Sequence, residues 1–147
     1  MYDYQTPSSA PRPPAFRLDL TKATPTYAEM AGKWHEAMIR KAELKQSKSR
    51  MGRHLEVTFH VAGTVDVRDW IVVEHSNPAA VGLGAAKAKK IFVACGENPP
   101  EELTDGSVFI GKKLSVFLLA NEENYLYIED YQPIIRAQQL ADDGLRF

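Results

Sequence analysis

Polar and apolar residues alternate without interruption from His54 to Val61, and no other feature of the chain restricts its fold as strongly. One side of this segment carries only apolar residues, Leu55, Val57, Phe59 and Val61. A period of two residues is typical of a β-strand with one face in a core and the other in water. Such a strand needs a partner, so we expect a β-sheet around it.

Two neighbouring segments are predicted to pair with this strand. Trp34–Leu44 is interpreted as the preceding strand, with a short amphipathic helix as the alternative. After Gly63 the chain continues into a third strand, Val65–Val73, whose alternation gives way to the apolar run Trp70–Val73. That change predicts a bulge or bend after Asp69, which would shift the facing of the side chains and suit a barrel.

A helix is predicted after the third strand. Asn77–Pro78 combines a good N-cap with a proline at the first helical position, and Ala79–Cys95 is rich in helix formers before Gly96 ends it. Two glycines inside the segment each cost about 1 kcal/mol relative to alanine. A later start, at Gly84 or the residue after it, is therefore the alternative.

The last part of the pattern predicts a β-hairpin, in which Leu114–Ala120 and Tyr125–Tyr131 are strands joined by the turn Asn121–Asn124. On the second of these strands, alternation places the tyrosines on one face, namely Tyr125, Tyr127 and Tyr131. The order is then three strands, a helix and two strands, with 97–106 as a loop or brief helical turn. This β-β-β-α-β-β order is that of the five-stranded OB-fold, a mainly β, partly open barrel with one helix.

The chain has 147 residues, enough for one domain with its own core. We expect a proline-rich arm over residues 1–27, the OB-fold domain over 28–133 and a tail over 134–147. No apolar run approaches the roughly 20 residues that span a bilayer, so no membrane partner is expected. The N-terminus lacks the features of a secretory signal, which predicts a cytoplasmic protein. Cys95, the single cysteine, is expected to be a small buried residue near the helix end.

Charge is distributed unevenly, although the formal net charge is only -1. Between Arg40 and Arg53 six basic residues accompany a single acidic one, Glu43, and the acidic residues are concentrated in later segments. Runs of like charge are often only solvated surface. This one gains meaning if the adjoining sheet forms a groove, because basic turns beside small sheets commonly follow a nucleic-acid backbone.

Three segments carry a resemblance to a known family: Gly32–Val61, Gly111–Val116 and Tyr127–Pro133. They resemble phage single-stranded DNA-binding proteins, a family long catalogued as a domain of unknown function. The resemblance covers roughly residues 32–133 and implies an OB-fold that binds single-stranded DNA during phage replication or recombination. If the protein is phage-encoded, the cytoplasm is that of the host cell. No cofactor is expected.

The residues expected to contact DNA are cations and aromatic side chains. They are Lys45, Lys48, Arg50 and Arg53 in the basic turn, Arg68 and Trp70 on the third strand, Lys112 and Lys113 before the fourth, and Tyr125 and Tyr127 on the fifth. For the turn, a merely solvated loop is the alternative. For Trp70 and the two tyrosines the alternative is packing in the core, where Trp34 is also placed.

The end of the chain is a second candidate site. Asp142, Asp143 and the terminal Phe147 are similar to the acidic, apolar-ended tails with which single-stranded DNA-binding proteins recruit replication or recombination enzymes. Arg146 departs from that pattern, and a frayed terminus is the alternative. Self-association as a homo-oligomer is left open by the sequence.

Catalysis is not predicted. The four histidines lack close metal-ligand spacing, and Glu56, Asp66 and Asp69, the only carboxylates suggestive of a nuclease, are explained as solvated strand positions. No metal site or enzyme activity is therefore expected. Two alternatives to DNA binding stay open: a protein-interaction or virion-associated β-barrel, and, less favoured, a metal-dependent nuclease.

Overall fold

The computed structural model describes residues 15–22, 27–48 and 50–134. Five strands follow one another along the chain as β1 (Lys33–Gln46), β2 (Gly52–Val61), β3 (Val65–His75), β4 (Lys113–Ala120) and β5 (Leu126–Gln132). The helices are the short α1 (Tyr27–Met30) and the long α2 (Pro78–Ala94), with 3-10 turns at Leu20–Lys22 and Gly106–Phe109. The predicted order of three strands, a helix and two strands is confirmed, and the segment that could have been a helix is β1.

The five strands form one antiparallel sheet in the order β3-β2-β1-β4-β5. β1 is long enough to serve two neighbours, since Ala37–Gln46 pairs with β2 and Lys33–Met38 pairs with β4. A sheet whose central strand changes partners along its length must curl. The curl brings the two outer strands, β3 and β5, against each other. The protein is therefore mainly β, with five antiparallel strands in a curled half-barrel beside one long helix.

The core fills the inside of the curl. It is built from alternate residues of all five strands and is covered by α2 and the turn before β4; its largest fully buried members are Phe59, Phe109, Met30, Ile39, Ile71, Ile91, Leu114 and Leu118. Aromatic rings connect its parts. Phe92 of α2 lies 4.7 Å from Phe109 between ring centroids, and Phe59 lies 5.6 Å from Tyr131.

The predicted bulge after Asp69 is present in β3, where Val73 is the extra residue: Arg53 pairs with Glu74, whereas His54 pairs with Val72. Val67 and Ile71 are buried with Asp69 between them on the same side, which means that the alternation runs on through Asp69. The register shift between β2 and β3 lies further along, opposite Arg53 and His54. Helix α2 also packs on β3, which adds an apolar contact beyond Trp70.

A second bulge with consequences for the site occurs in β5, at Glu129, where the register with β4 shifts between Phe117 and Leu118. The extra residue reverses the facing of the residues after it. Tyr131 therefore enters the core, whereas Tyr127 stays outside. The prediction that these tyrosines share one face is wrong for Tyr131.

Helix α2 begins at Pro78, so the alternative of a later start is wrong. The Asn77 side chain caps it by accepting a hydrogen bond from the backbone N–H of Ala79 at 3.0 Å. A glycine inside the helix has a packing role: a Cβ at Gly84 would lie 2.0 Å from the backbone oxygen of Val72. Only a residue without a side chain lets α2 approach β3 this closely.

Two further residues, Trp34 and Cys95, are each partly buried. Trp34 is half-buried against Phe117, 5.3 Å between ring centroids, and lies outside the core in which it was expected. Cys95, the residue that ends α2, packs against the core, and this burial raises the pKa of its thiol to about 11.

Among the described residues, no helix is both long and apolar enough to cross a bilayer.

Candidate nucleic-acid interface

The outer face of β1, β2 and β3 displays the side chains that do not enter the core. Glu56 of β2 pairs with Trp70 of β3, and Thr58 of β2 pairs with Arg68 of β3. Trp70 is 48 % exposed. Two of the predicted contact residues, Arg68 and Trp70, thus lie two residues apart on one solvent-facing side of β3.

A groove of about 360 Å³ lies between β3 and the start of β5. Its lining comprises Val65, Asp66, Val67, Arg68 and Trp70 from β3 and Asn121, Tyr125, Leu126 and Tyr127 from the following hairpin. Tyr125 is 64 % exposed and Tyr127 is 41 % exposed. Core packing, the alternative for the three aromatic residues, is therefore wrong. Residues more than 50 positions apart in sequence meet here because the sheet curls.

The turn between β4 and β5, residues 121–125, holds Tyr125 at the rim of this groove. The side-chain oxygen of Asn121 accepts hydrogen bonds from the backbone N–H groups of Glu123 at 2.9 Å and Tyr125 at 3.0 Å. Asn124 adopts a positive φ of 66°, which asparagine tolerates better than most residues. The local sequence thus fixes the backbone while leaving the tyrosine ring in solvent.

A row of alternating charge crosses the outer face towards the groove. Lys45 on β1 lies 2.9 Å from the carboxylate of Glu56, which is itself 4.0 Å from the guanidinium of Arg68. The hydrogen bond from Lys45 is the largest cause of the lowered pKa of Glu56, and the same bond raises the pKa of Lys45. Glu56 offsets part of the positive charge of both neighbours, so this face is weakly rather than strongly basic.

The cations in and after the turn between β1 and β2 fall into two groups. Lys48 and Arg50 are exposed, and within the described ranges neither has a carboxylate partner. Arg53 is different because its guanidinium makes two hydrogen bonds to Glu74, at 2.7 and 2.5 Å. That pairing lowers the pKa of Glu74. Lys48 and Arg50 therefore have the freer charges.

Gly52 explains how this turn reaches β3. A Cβ on Gly52 would lie 1.9 Å from the backbone oxygen of Glu74, so the close contact requires glycine. The basic turn is consequently anchored to the end of β3 rather than extending freely.

The structure places the two lysines before β4 elsewhere. Lys112 forms an ion pair with Glu97 and is largely covered. Lys113 is exposed opposite Met38 and lines a separate shallow hollow of about 490 Å³ with His60 and Gly63. Neither lysine is part of the lining of the aromatic groove. Asp142, Asp143 and Phe147, the predicted partner-binding residues, lie outside the described residues.

Asp66 is one of several groove residues that the sequence did not predict to contact nucleic acid. Asp66 lines the groove and is bound by Arg40 at 3.2 Å and by the Nδ1 atom of His60 at 2.8 Å. The contact with His60 is the largest cause of the lowered pKa of Asp66. Only the position of Arg40 in the basic run hinted at this cluster, since pairing across strands is not visible in sequence.

The carboxylates that could suggest a nuclease are dispersed among different partners. Glu56 binds Lys45, Asp66 binds Arg40, and Asp69 binds Lys87 at 2.8 Å. In the part of the chain that the structure describes, no group of three or more His, Cys, Asp or Glu side chains is arranged to hold a metal ion.

Comparison with protein-family models and with curated protein sequences gives no match to this chain. What the protein binds has therefore to be inferred from the groove itself. Exposed aromatic rings beside a guanidinium group are suited to a ligand that is flat in one part and anionic in another.

Proposed function

We propose that this protein is an OB-fold protein that binds single-stranded DNA with little sequence preference. The observation that carries the proposal is the exposure of Trp70, Tyr125 and Tyr127 in one groove next to Arg68. Aromatic side chains buried in a core would have no such use. Neighbouring exposed aromatic rings on a small domain form an apolar patch, and such patches mark interaction sites.

The sheet order supports the OB-fold assignment. In such barrels, oligonucleotides bind to the face of strands 2 and 3 and to the loops that join strands 1 and 2 and strands 4 and 5. Here the groove combines β3 with the β4–β5 turn, and the turn between β1 and β2 carries Lys48 and Arg50. The exposed rings and the freer cations thus occupy the places that this fold uses for nucleic acid.

The chemistry of the groove favours a single strand over a duplex. Bases in a duplex are stacked on one another, whereas unpaired bases can stack on protein rings, at about 1 to 3 kcal/mol per base. Stacking is tolerant of sequence because every base has a flat face. The cations supply attraction to phosphates without reading bases. Little sequence preference is expected from this combination.

The biological setting rests on the resemblance of Gly32–Val61 to phage proteins. We assign the protein a role in phage replication or recombination, in the cytoplasm of the host cell. Recruitment of a replication or recombination enzyme through Asp142, Asp143 and Phe147 belongs to the same proposal.

A titration of fluorescently labelled oligo(dT) at several salt concentrations tests the proposal. We expect binding that weakens as salt rises, because the release of counterions from the strand, which favours association, gains less free energy at higher salt. A labelled duplex of equal length is the control and should bind more weakly. Absent binding, or binding that is indifferent to salt, would contradict the DNA assignment. Cleavage of the oligonucleotide on addition of magnesium or manganese would instead reveal a nuclease.

One observation favours the second candidate, a protein-interaction barrel. Leu44 and Met51 are 51 % and 52 % exposed near the basic turn. Leu44 lines a hollow of about 310 Å³ with Leu55, Val73 and Leu103. Apolar side chains there suit a protein partner. Retained binding of oligo(dT) by a Leu44→Ser variant would separate this surface from the DNA site.

A further inference from the structure

The seam between β3 and β5 lacks the backbone ladder that joins every other pair of neighbouring strands in the described sheet. Side chains hold it instead. The hydroxyl of Tyr131 on β5 donates a hydrogen bond to the carboxylate of Asp69 on β3. Lys87 of α2 donates to the other oxygen of the same carboxylate at 2.8 Å. The side chain of Asp69 is only 13 % exposed, so these contacts are shielded from water.

Two of these side chains, Asp69 and Lys87, also contact the backbone of Trp70. The carboxylate of Asp69 accepts a hydrogen bond from the Trp70 N–H at 2.8 Å. The ammonium group of Lys87 donates to the Trp70 carbonyl at 3.1 Å. The backbone N–H and C=O of Trp70 are therefore both hydrogen-bonded to side chains. The direction in which the indole leaves the strand depends on this backbone.

We infer that Asp69, Lys87 and Tyr131 form a clamp that orients Trp70 for stacking on a nucleic-acid base. The clamp residues are positioning residues: none of them lines the aromatic groove. The inference rests on the proposed function for its ligand, but the clamp itself exists in the free protein.

Tyr131 is well suited to this role. It is only 6 % exposed and its ring packs on Phe59, so the hydroxyl has a fixed direction. Burial, and the negative charge of Asp69 after it, raise the pKa of the phenol, which keeps the hydroxyl a proton donor. Tyr131→Phe removes the hydroxyl but preserves the packing of the ring. This variant therefore tests the clamp with little disturbance of the core.

The experiment compares Tyr131→Phe and Lys87→Met with Lys89→Met, whose side chain is an exposed neighbour on α2. Oligo(dT) affinity is measured at several salt concentrations. The two clamp variants should each bind about fivefold more weakly, the loss typical of one hydrogen bond, with an unchanged dependence on salt. Lys89→Met should stay within about twofold of wild type. A smaller salt dependence in Lys87→Met would identify Lys87 as a phosphate contact and overturn its positioning role.

Coupling to Trp70 distinguishes positioning from simple stabilisation. In a Trp70→Ala background, Tyr131→Phe should lose most of its effect on affinity, because no indole remains to be oriented. Full additivity of the two substitutions would overturn the inference. Matched unfolding curves for each variant show whether the fold is intact.

A second readout needs no DNA, so failure of the proposed function and failure of the clamp can be told apart. Trp34→Phe leaves Trp70 as the single tryptophan of the chain. In that background, Tyr131→Phe should lower the fluorescence anisotropy of Trp70 in the free protein. Unchanged anisotropy would overturn the clamp. Failure of the wild-type protein to bind oligo(dT) would overturn only the proposed DNA-binding function.

Discussion

Arg53 and Arg68 lie on neighbouring strands, but their guanidinium groups differ in how closely a carboxylate already pairs with them. The Nε atom and one terminal nitrogen of the Arg53 guanidinium both donate hydrogen bonds to the carboxylate of Glu74. Within the described ranges, the one carboxylate partner of Arg68 is Glu56, 4.0 Å from its guanidinium, and Arg68 borders the aromatic groove. A cation that already has a close carboxylate gains less from a phosphate, because it must first give up that partner.

Methionine substitutions should separate the two arginines. Arg68→Met is expected to weaken oligo(dT) binding and to reduce the slope of log affinity against log salt by about 0.7, the value for one contact with a single strand. Arg53→Met, the matched control, should leave that slope unchanged. The measurement is a salt titration of each variant. Equal slopes for both variants would mean that Arg68 does not contact phosphate.

The sequence could identify Arg53 as a candidate DNA contact, but it could not show that Arg53 forms an ion pair with Glu74. Glu74 lies 21 positions away, on a different strand, and their contact depends on the register of β2 with β3. Trp70 was equally ambiguous in sequence, since an apolar run hides which side chains face outwards. The register of the strands resolves both cases.

At the level of the elements, α2 and β3 meet at a glycine. Gly84 is buried against the backbone of Val72, whereas Gly82, two residues earlier on the same helix, has open space where a Cβ would be added. The two glycines share a helix and differ only in their surroundings. They therefore form a matched pair for measuring the helix–sheet contact.

Gly84→Ala should lower the free energy of unfolding by about 1 to 3 kcal/mol, the usual cost of overpacking. Gly82→Ala should raise it, by up to about 1 kcal/mol, because alanine is the better helix former. Urea denaturation of both variants measures the difference. Stabilisation by both substitutions would show that α2 does not approach β3 as closely as described.

The limits of α2 were readable because Asn77, Pro78 and Gly96 are local signals. The bulge at Glu129 was not, since β5 shows no interruption in its sequence and the extra residue appears only in its register with β4. Local chemistry thus predicts where elements begin and end. Which side chains of a strand point into the core beyond a bulge depends on its register with the partner strand.

For the whole molecule, the distribution of charge matters more than its sum. The formal net charge is -1, yet Lys48 and Arg50 project from the turn at one end of β1, where no described carboxylate pairs with them. Attraction of a polyanion depends on such local fields. The order of strands and helix could be predicted from alternation, but the groove required the curled sheet that joins β3 to the β4–β5 turn.

Reversal of the turn charges should therefore act out of proportion to the net charge. Lys48→Glu with Arg50→Glu is expected to weaken oligo(dT) binding and to reduce the salt slope by about 1.4, for two lost contacts. Lys33→Glu with Lys89→Glu makes the same change in net charge with residues outside the groove and the turn. Equal losses of affinity for the two double variants would point to overall charge and remove the turn from the site.

The side-chain clamp at the seam also affects how the protein behaves towards copies of itself. Strands at the edges of an open sheet present unpaired backbone groups, on which a strand of another chain can add and start aggregation. In this sheet the two edge strands are β3 and β5, and the bond between Tyr131 and Asp69 keeps them facing each other. The contact that we assign to the orientation of Trp70 thus also shields both edge strands, so loosening of this seam should promote aggregation as well as disturb the groove.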